Sequence, residues 1–124
     1  MKTASFKTYA GPGRISIARY APRNTPAGFR IHGALAPAAD MLKMSKTLYL
    51  PRYAAILAAL DPQEQWDILH EKAAGSEPVL LCWEAPPFTA SNWCHRRLVA
   101  KWFQETLGHE VPELTVGLHQ SSLL

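Results

Sequence analysis

Val79-Leu80-Leu81-Cys82-Trp83-Glu84 is the stretch on which the fold turns. An apolar run this short, opened by Pro78 and followed by Pro86-Pro87, reads as a buried strand rather than a helix. Beyond the proline-rich loop comes Cys94-His95-Arg96-Arg97-Leu98-Val99-Ala100. There Leu98, Val99, Trp102, Phe103 and Leu107 fall on one face of a helix. Ser91 or Asn92 is the expected cap of that helix, and Gly108 its stop. In open α/β sheets, ligands collect in the loops outside the carboxyl ends of the strands. The segment therefore predicts a fold class and a place for chemistry or anion binding together.

Upstream, Asp61-Pro62-Gln63-Glu64 opens a helix. Asp61 suits the cap, Pro62 the first turn, and Glu64 can reach back to the cap's backbone amide. Trp66, Leu69 and Ala73 form its apolar stripe, with Gly75 just past its end. Tyr53, Ile56, Leu57 and Leu60 mark one face of a preceding helix. Arg14 to Tyr20 alternates, with Ile15 and Ile17 on one face, and reads as a strand ended by Pro22. Thr3 to Tyr9 alternates more weakly. Residues 21–36 lack a period and make a long loop, functional or poorly ordered. A short helix is expected next, with Pro37 in its first turn and Leu42 inward. Val111 to Val116 is expected as a last strand, which Pro112 would confine to an edge. Strands and helices alternate after a strand pair. The predicted architecture is one α/β domain over residues 1–124, a small, mostly parallel sheet with helices packed on it.

The 124 residues suffice for one core and not for two. A hydrophobic share of 48% and a charged share of 19% are ordinary for a globular protein. No leader-like start and no membrane-length apolar run are visible, so a cytoplasmic protein without a membrane partner is expected. In that compartment the two cysteines should be free thiols. Charge is uneven. Residues 1–52 carry nine lysines and arginines against one acid, and the remainder four against nine. Either the basic part meets an anion, or it packs beside the acidic helices of its own chain.

Cys82 and Glu84 lie two apart on a strand and share a side, with Trp83 opposite. Cys94 and His95 are expected in the first helical turn, where free amides and the dipole favour negative charge and thiolate. Arg96 and Arg97 offer forked donors for phosphate or carboxylate, and Arg96 is the one expected on the ligand side. Cys82 more naturally serves as a small apolar residue. His95 or an arginine can equally bridge to Glu84 as a structural lock. Zinc on Cys82, Cys94, His95 and Glu84 is disfavoured, because adjacent residues diverge on a helix. No metal and no cofactor are expected. Gly11-Pro12-Gly13 lacks the lysine and helix start of a phosphate loop. Tyr9, Tyr20, Phe29 and Tyr49 among the basic residues leave nucleic acid as a possible partner.

Ile15-Ser16-Ile17-Ala18-Arg19-Tyr20-Ala21-Pro22, Leu35-Ala36-Pro37, Tyr53 with Leu57 and Leu60-Asp61-Pro62, Leu80-Leu81-Cys82-Trp83-Glu84 and Cys94-His95-Arg96-Arg97-Leu98-Val99-Ala100 occur in that order. In these the chain resembles the small bacterial and phage proteins of the domain of unknown function 488 family. The loop from Ala85 to Trp93 is longer and richer in proline than that pattern. The resemblance implies a compact α/β fold with the Cys-x-Glu strand and the Cys-His-Arg helix beside one pocket. It also implies Arg19 as a pocket residue near Glu84 and Arg96. It implies no activity. Three functions are thus open. One is binding of a phosphorylated or nucleotide-like anion by Arg19, Glu84, Cys94, His95 and Arg96. Another is a thiol enzyme with Cys94 as nucleophile and His95 or Glu84 as base. The third is a module that binds nucleic acid or protein through the basic first segment.

Overall fold

The computed structural model describes residues 1–20, 28–84 and 93–114. Its sheet has four strands: β1 (Lys2–Ser5), β2 (Arg14–Ser16), β3 (Arg30–Ile31) and β4 (Val79–Cys82). They lie in the order β1-β4-β2-β3, and every pairing is parallel. The expected mostly parallel α/β sheet is what forms. β4 sits between β1 and β2 and is buried along its whole length, as its unbroken apolar run requires. β2 is also buried on both faces, Arg14 and Ser16 as well as Ile15, and Ile17 and Ala18 just beyond it are buried too. Its ladder ends at Ser16, sooner than the alternation suggested, although Ile17 still donates to the Leu81 carbonyl at 3.0 Å.

Three helices follow: α1 (Lys46–Ala58), α2 (Pro62–Lys72) and α3 (His95–Leu107). Tyr53 and Leu57 from α1, Leu69 from α2, and Val99 and Phe103 from α3 join Ile15, Ile17 and Leu80 in the main core. A second cluster holds Ala4, Phe6, Val79, Leu81 and Cys82. Asp61 caps α2, its carboxylate accepting from the Gln63 and Glu64 amides at 3.0 and 3.3 Å. Gly108 closes α3 in the left-handed conformation, φ 74°.

Several expectations shift. The long loop contains β3, a two-residue edge strand too short to leave a period, and residues 21–27 of it lie outside the described residues. The short helix after Pro37 is a 3₁₀ segment (Ala39–Lys43). Its tighter turn puts Met41 inside and leaves Leu42 half-exposed. α1 starts at Lys46, capped by Ser45, and carries Pro51 within it. The last segment makes one parallel bridge, Glu113 to Thr3, on the outer side of β1, so the edge position is as expected. Val116 lies outside the described residues.

That topology fixes where a crevice can open. From β2 the chain proceeds outward to β3. From β4 it passes through α3 and returns at Glu113, beyond the opposite edge. The neighbours β2 and β4 thus send the chain in opposite directions, and their carboxyl ends are parted at a switch point. Among the described residues, no helix is long and apolar enough to cross a membrane.

Candidate functional site

A cavity of about 360 Å³ lies at this switch point. Ala18, Arg19 and Tyr20 reach it from the end of β2, Cys82, Trp83 and Glu84 from the end of β4, and Cys94 and His95 from the start of α3. Tyr49 of α1, Met41 and Trp93 complete much of the wall. Of the five residues expected in the ligand site, Arg19, Glu84, Cys94 and His95 therefore converge.

Arg96 does not line the cavity. Its side chain is fully buried and forks onto Glu113, Nε donating to Oε1 at 3.0 Å and Nη2 to Oε2 at 2.7 Å. Nη1 donates to Cys82 Sγ at 3.1 Å. The helix start was expected to point Arg96 at the ligand. A guanidinium with no exposure gains more from a forked carboxylate in the interior than from an open cavity. Arg97 is half-buried and donates to Thr3 Oγ1 at 2.9 Å and to the Val111 carbonyl at 2.8 Å. Thr3 Oγ1 in turn donates to Glu113 Oε1 at 2.6 Å. The two arginines thus fasten the final segment to β1 and α3. Glu113, the acid that makes this possible, sits in the expected edge segment, but nothing in the sequence pairs it with Arg96.

Cys94 is the cap residue of α3, not part of its first turn, and its backbone is extended, φ −140° and ψ 145°. Ser91 and Asn92, the expected caps, lie outside the described residues. The extended cap has a further effect. Side chains at 94 and 95 converge, although consecutive positions within a helix would diverge. Cys94 is joined to Cys82 as a disulfide, with Cα atoms 7.0 Å apart, where free thiols were expected.

His95 is buried against the Tyr53 ring, centroids 5.4 Å apart. Its Nε2 lies 2.6 Å from the Ile17 carbonyl, which can only accept, so Nε2 carries the proton. Nδ1 then presents a lone pair toward Cys94 Sγ, 3.7 Å away. Burial, and secondarily the Arg96 charge, push the imidazole down to about 4, so it stands neutral near pH 7. The Glu84–His95 bridge does not form, since both ring nitrogens of His95 face elsewhere. Glu84 stays half-buried at the cavity wall. Burial, and secondarily the charge of Glu84, push the Tyr49 phenol up, so Tyr49 offers the cavity a neutral hydroxyl. Arg19 is exposed at the rim, with its guanidinium 5.8 Å from the Tyr20 ring centroid. It forms no salt bridge among the described residues.

The basic first segment is partly absorbed by the fold. Arg14 is buried and donates to the Gly11 carbonyl at 2.9 Å, Arg52 forks onto Asp40, and Lys2 pairs with Glu77. Tyr49 belongs to the main core, and Tyr9 and Phe29 pack on the second cluster. Tyr49, Trp93 and Met41 line the cavity without a sequence signal for it, since Tyr49 reads as one of the aromatics among the basic residues and Trp93 as the end of the proline-rich loop. No protein-family model, no curated protein and no solved structure matches this chain.

Proposed function

We propose that the cavity binds a small anionic ligand, phosphorylated or nucleotide-like, with Arg19 at the rim supplying the charge that selects it. The observation that carries this reading is the convergence of Arg19, Glu84, Cys94 and His95 on one cavity at the switch point between β2 and β4. The cavity is at the small end of the range for small-molecule sites. Arg19 provides a forked donor suited to phosphate, and Tyr49 and Glu84 provide neutral and acidic groups for hydroxyls or amines. Trp83, Trp93 and Met41 offer apolar surface for a ring. Arg96 supports the wall from behind through Cys82. Calorimetric titration with inorganic phosphate and nucleoside monophosphates tests the reading. Arg19→Ala should weaken the bound anion by roughly tenfold or more, the worth of a charged hydrogen bond. Failure of every such anion to bind, or equal affinity in the variant, would overturn it.

A second reading has its own support in the meeting of Cys82 and Cys94 beside the His95 lone pair. Here Cys94, once reduced, is a nucleophile at a helix start, with the neutral His95 Nδ1 orienting its thiol and Glu84 the base on the cavity wall. After reduction, Cys94 should alkylate much faster than Cys82 near neutral pH, measured by mass spectrometry. Equal and slow labelling of both would dismiss the thiol enzyme.

A further inference from the structure

We propose that Cys82 Sγ, Cys94 Sγ and His95 Nδ1 form, in the reduced protein, a site for one zinc-class divalent ion whose remaining coordination position opens on the cavity. The candidate ligand atoms of the three buried residues all lie within 4.8 Å of one another. A tetrahedral ion with bonds of about 2.3 Å to sulfur and about 2.1 Å to nitrogen holds those two atoms roughly 3.6 Å apart. Cys94 Sγ and His95 Nδ1 are 3.7 Å apart.

The surroundings match what such an ion requires. Metal-bound imidazoles donate their other N–H to a carbonyl or carboxylate, which fixes the tautomer. His95 does this to the Ile17 carbonyl at 2.6 Å. Once the disulfide is reduced, the Arg96 contact on Cys82 Sγ becomes a charge-assisted one that stabilises a thiolate. Two thiolates and a neutral imidazole around a divalent ion form a neutral set, so burial carries no uncompensated charge. The adjacency of Cys94 and His95 counts against a metal only if both are helical, and Cys94 is not. Since the three ligands fill three positions and Cys82, Cys94 and His95 all border the cavity, the fourth faces the ligand space, as in catalytic rather than structural zinc sites.

The balance is simple. A phosphine reductant gives two electrons and takes up the oxygen of one water as phosphine oxide, the Cys82–Cys94 S–S bond breaks, and that water's two protons complete the thiols. The ion then displaces both thiol protons, so two protons are released for each metal bound. This inference stands apart from the anion reading, because Arg19 is not a ligand and the site needs no anion.

The test is titration of the full, phosphine-reduced chain with cobalt(II) and then zinc(II) under anaerobic conditions. The expected result is one cobalt per chain, with a near-ultraviolet thiolate charge-transfer band and the visible band of tetrahedral cobalt, both removed by zinc. Cys82→Ala and Cys94→Ala should each lower metal affinity by roughly a hundredfold or more. Arg19→Ala should bind metal as the parent does, so loss of anion binding with metal retained counts only against the anion reading. On the unaltered chain, zinc should protect both cysteines from alkylation, and this decides the matter if a variant fails to fold. Absence of the thiolate band, or alkylation of both cysteines at the metal-free rate under saturating zinc, would overturn the site.

Discussion

At the scale of single residues, the side chain that contributes most to the site's framework is one that never reaches the cavity. Arg96 ties Glu113 to Cys82 with no exposure to water. Removing either partner strands a buried charge, which costs about 3–5 kcal/mol. Arg96→Met and Glu113→Gln should each lose that much stability in urea melts, whereas the double variant Arg96→Met/Glu113→Leu should lose clearly less than the sum. Additive losses would mean that the pair is not coupled. The residue types at the site were legible. Cys82, Glu84, Cys94 and His95 stand out because thiols, imidazole and carboxylate flank a strand–loop–helix unit. The partner of Arg96 was not legible, since a carboxylate seventeen positions away is chosen by tertiary packing that leaves no periodic trace. The direction of Arg96 was misjudged for the same reason. A helix start attracts an anion, but which neighbour faces it depends on where the cap lies, and the cap is Cys94, two positions beyond Asn92 and three beyond Ser91.

At the scale of elements, the α2 cap, the α3 stop and the buried strand β4 are written in the sequence, whereas the α3 cap and the short edge strand β3 are not. Asp61-Pro62 and Gly108 act through local backbone chemistry, so sequence suffices to place them. β3, with two residues, is held by the edge it joins, and no local signal precedes it, whereas the bridge at Glu113 falls in the segment where Pro112 places an edge strand. Gly13 shows how an element boundary can be fixed by space. Its φ is 79°, and a Cβ there would fall 2.0 Å from the Glu77 carbonyl oxygen, just where Val79 donates to the Gly13 carbonyl at 2.8 Å. Gly108 has a similar φ of 74° but open space around it. Gly108→Ala should therefore cost about 1 kcal/mol, and Gly13→Ala distinctly more, because the entry to β2 and β4 must also part. Denaturant melts compare the two, and equal losses would contradict the close approach at Gly13.

At the scale of the whole molecule, two buried histidines make stability depend on pH. His95 stands neutral at about 4 in the folded chain, mainly through burial, against an ordinary value of 6.5. His32 is lowered in the same direction by burial, with Lys72 adding to it. Its ring lies between Gln65 Oε1 at 2.6 Å and Lys72 Nζ at 2.9 Å. Below pH 6.5 the unfolded chain takes up these protons and the folded chain resists them. The stability they confer is thus intact above pH 6.5 and lost as pH falls toward 4. For His95 alone the loss approaches about 3 kcal/mol. Urea melts of metal-free protein from pH 7 to pH 4 should show this decline, and His32→Gln should flatten part of it. The most direct measurement of the account is amide chemical-shift mapping during titration with a nucleoside monophosphate. It predicts perturbations concentrated at Ala18–Tyr20, Cys82–Glu84 and Trp93–Arg96. Perturbations confined to the basic surface around Arg30 and Lys43, with those three segments unmoved, would contradict a ligand site between β2 and β4.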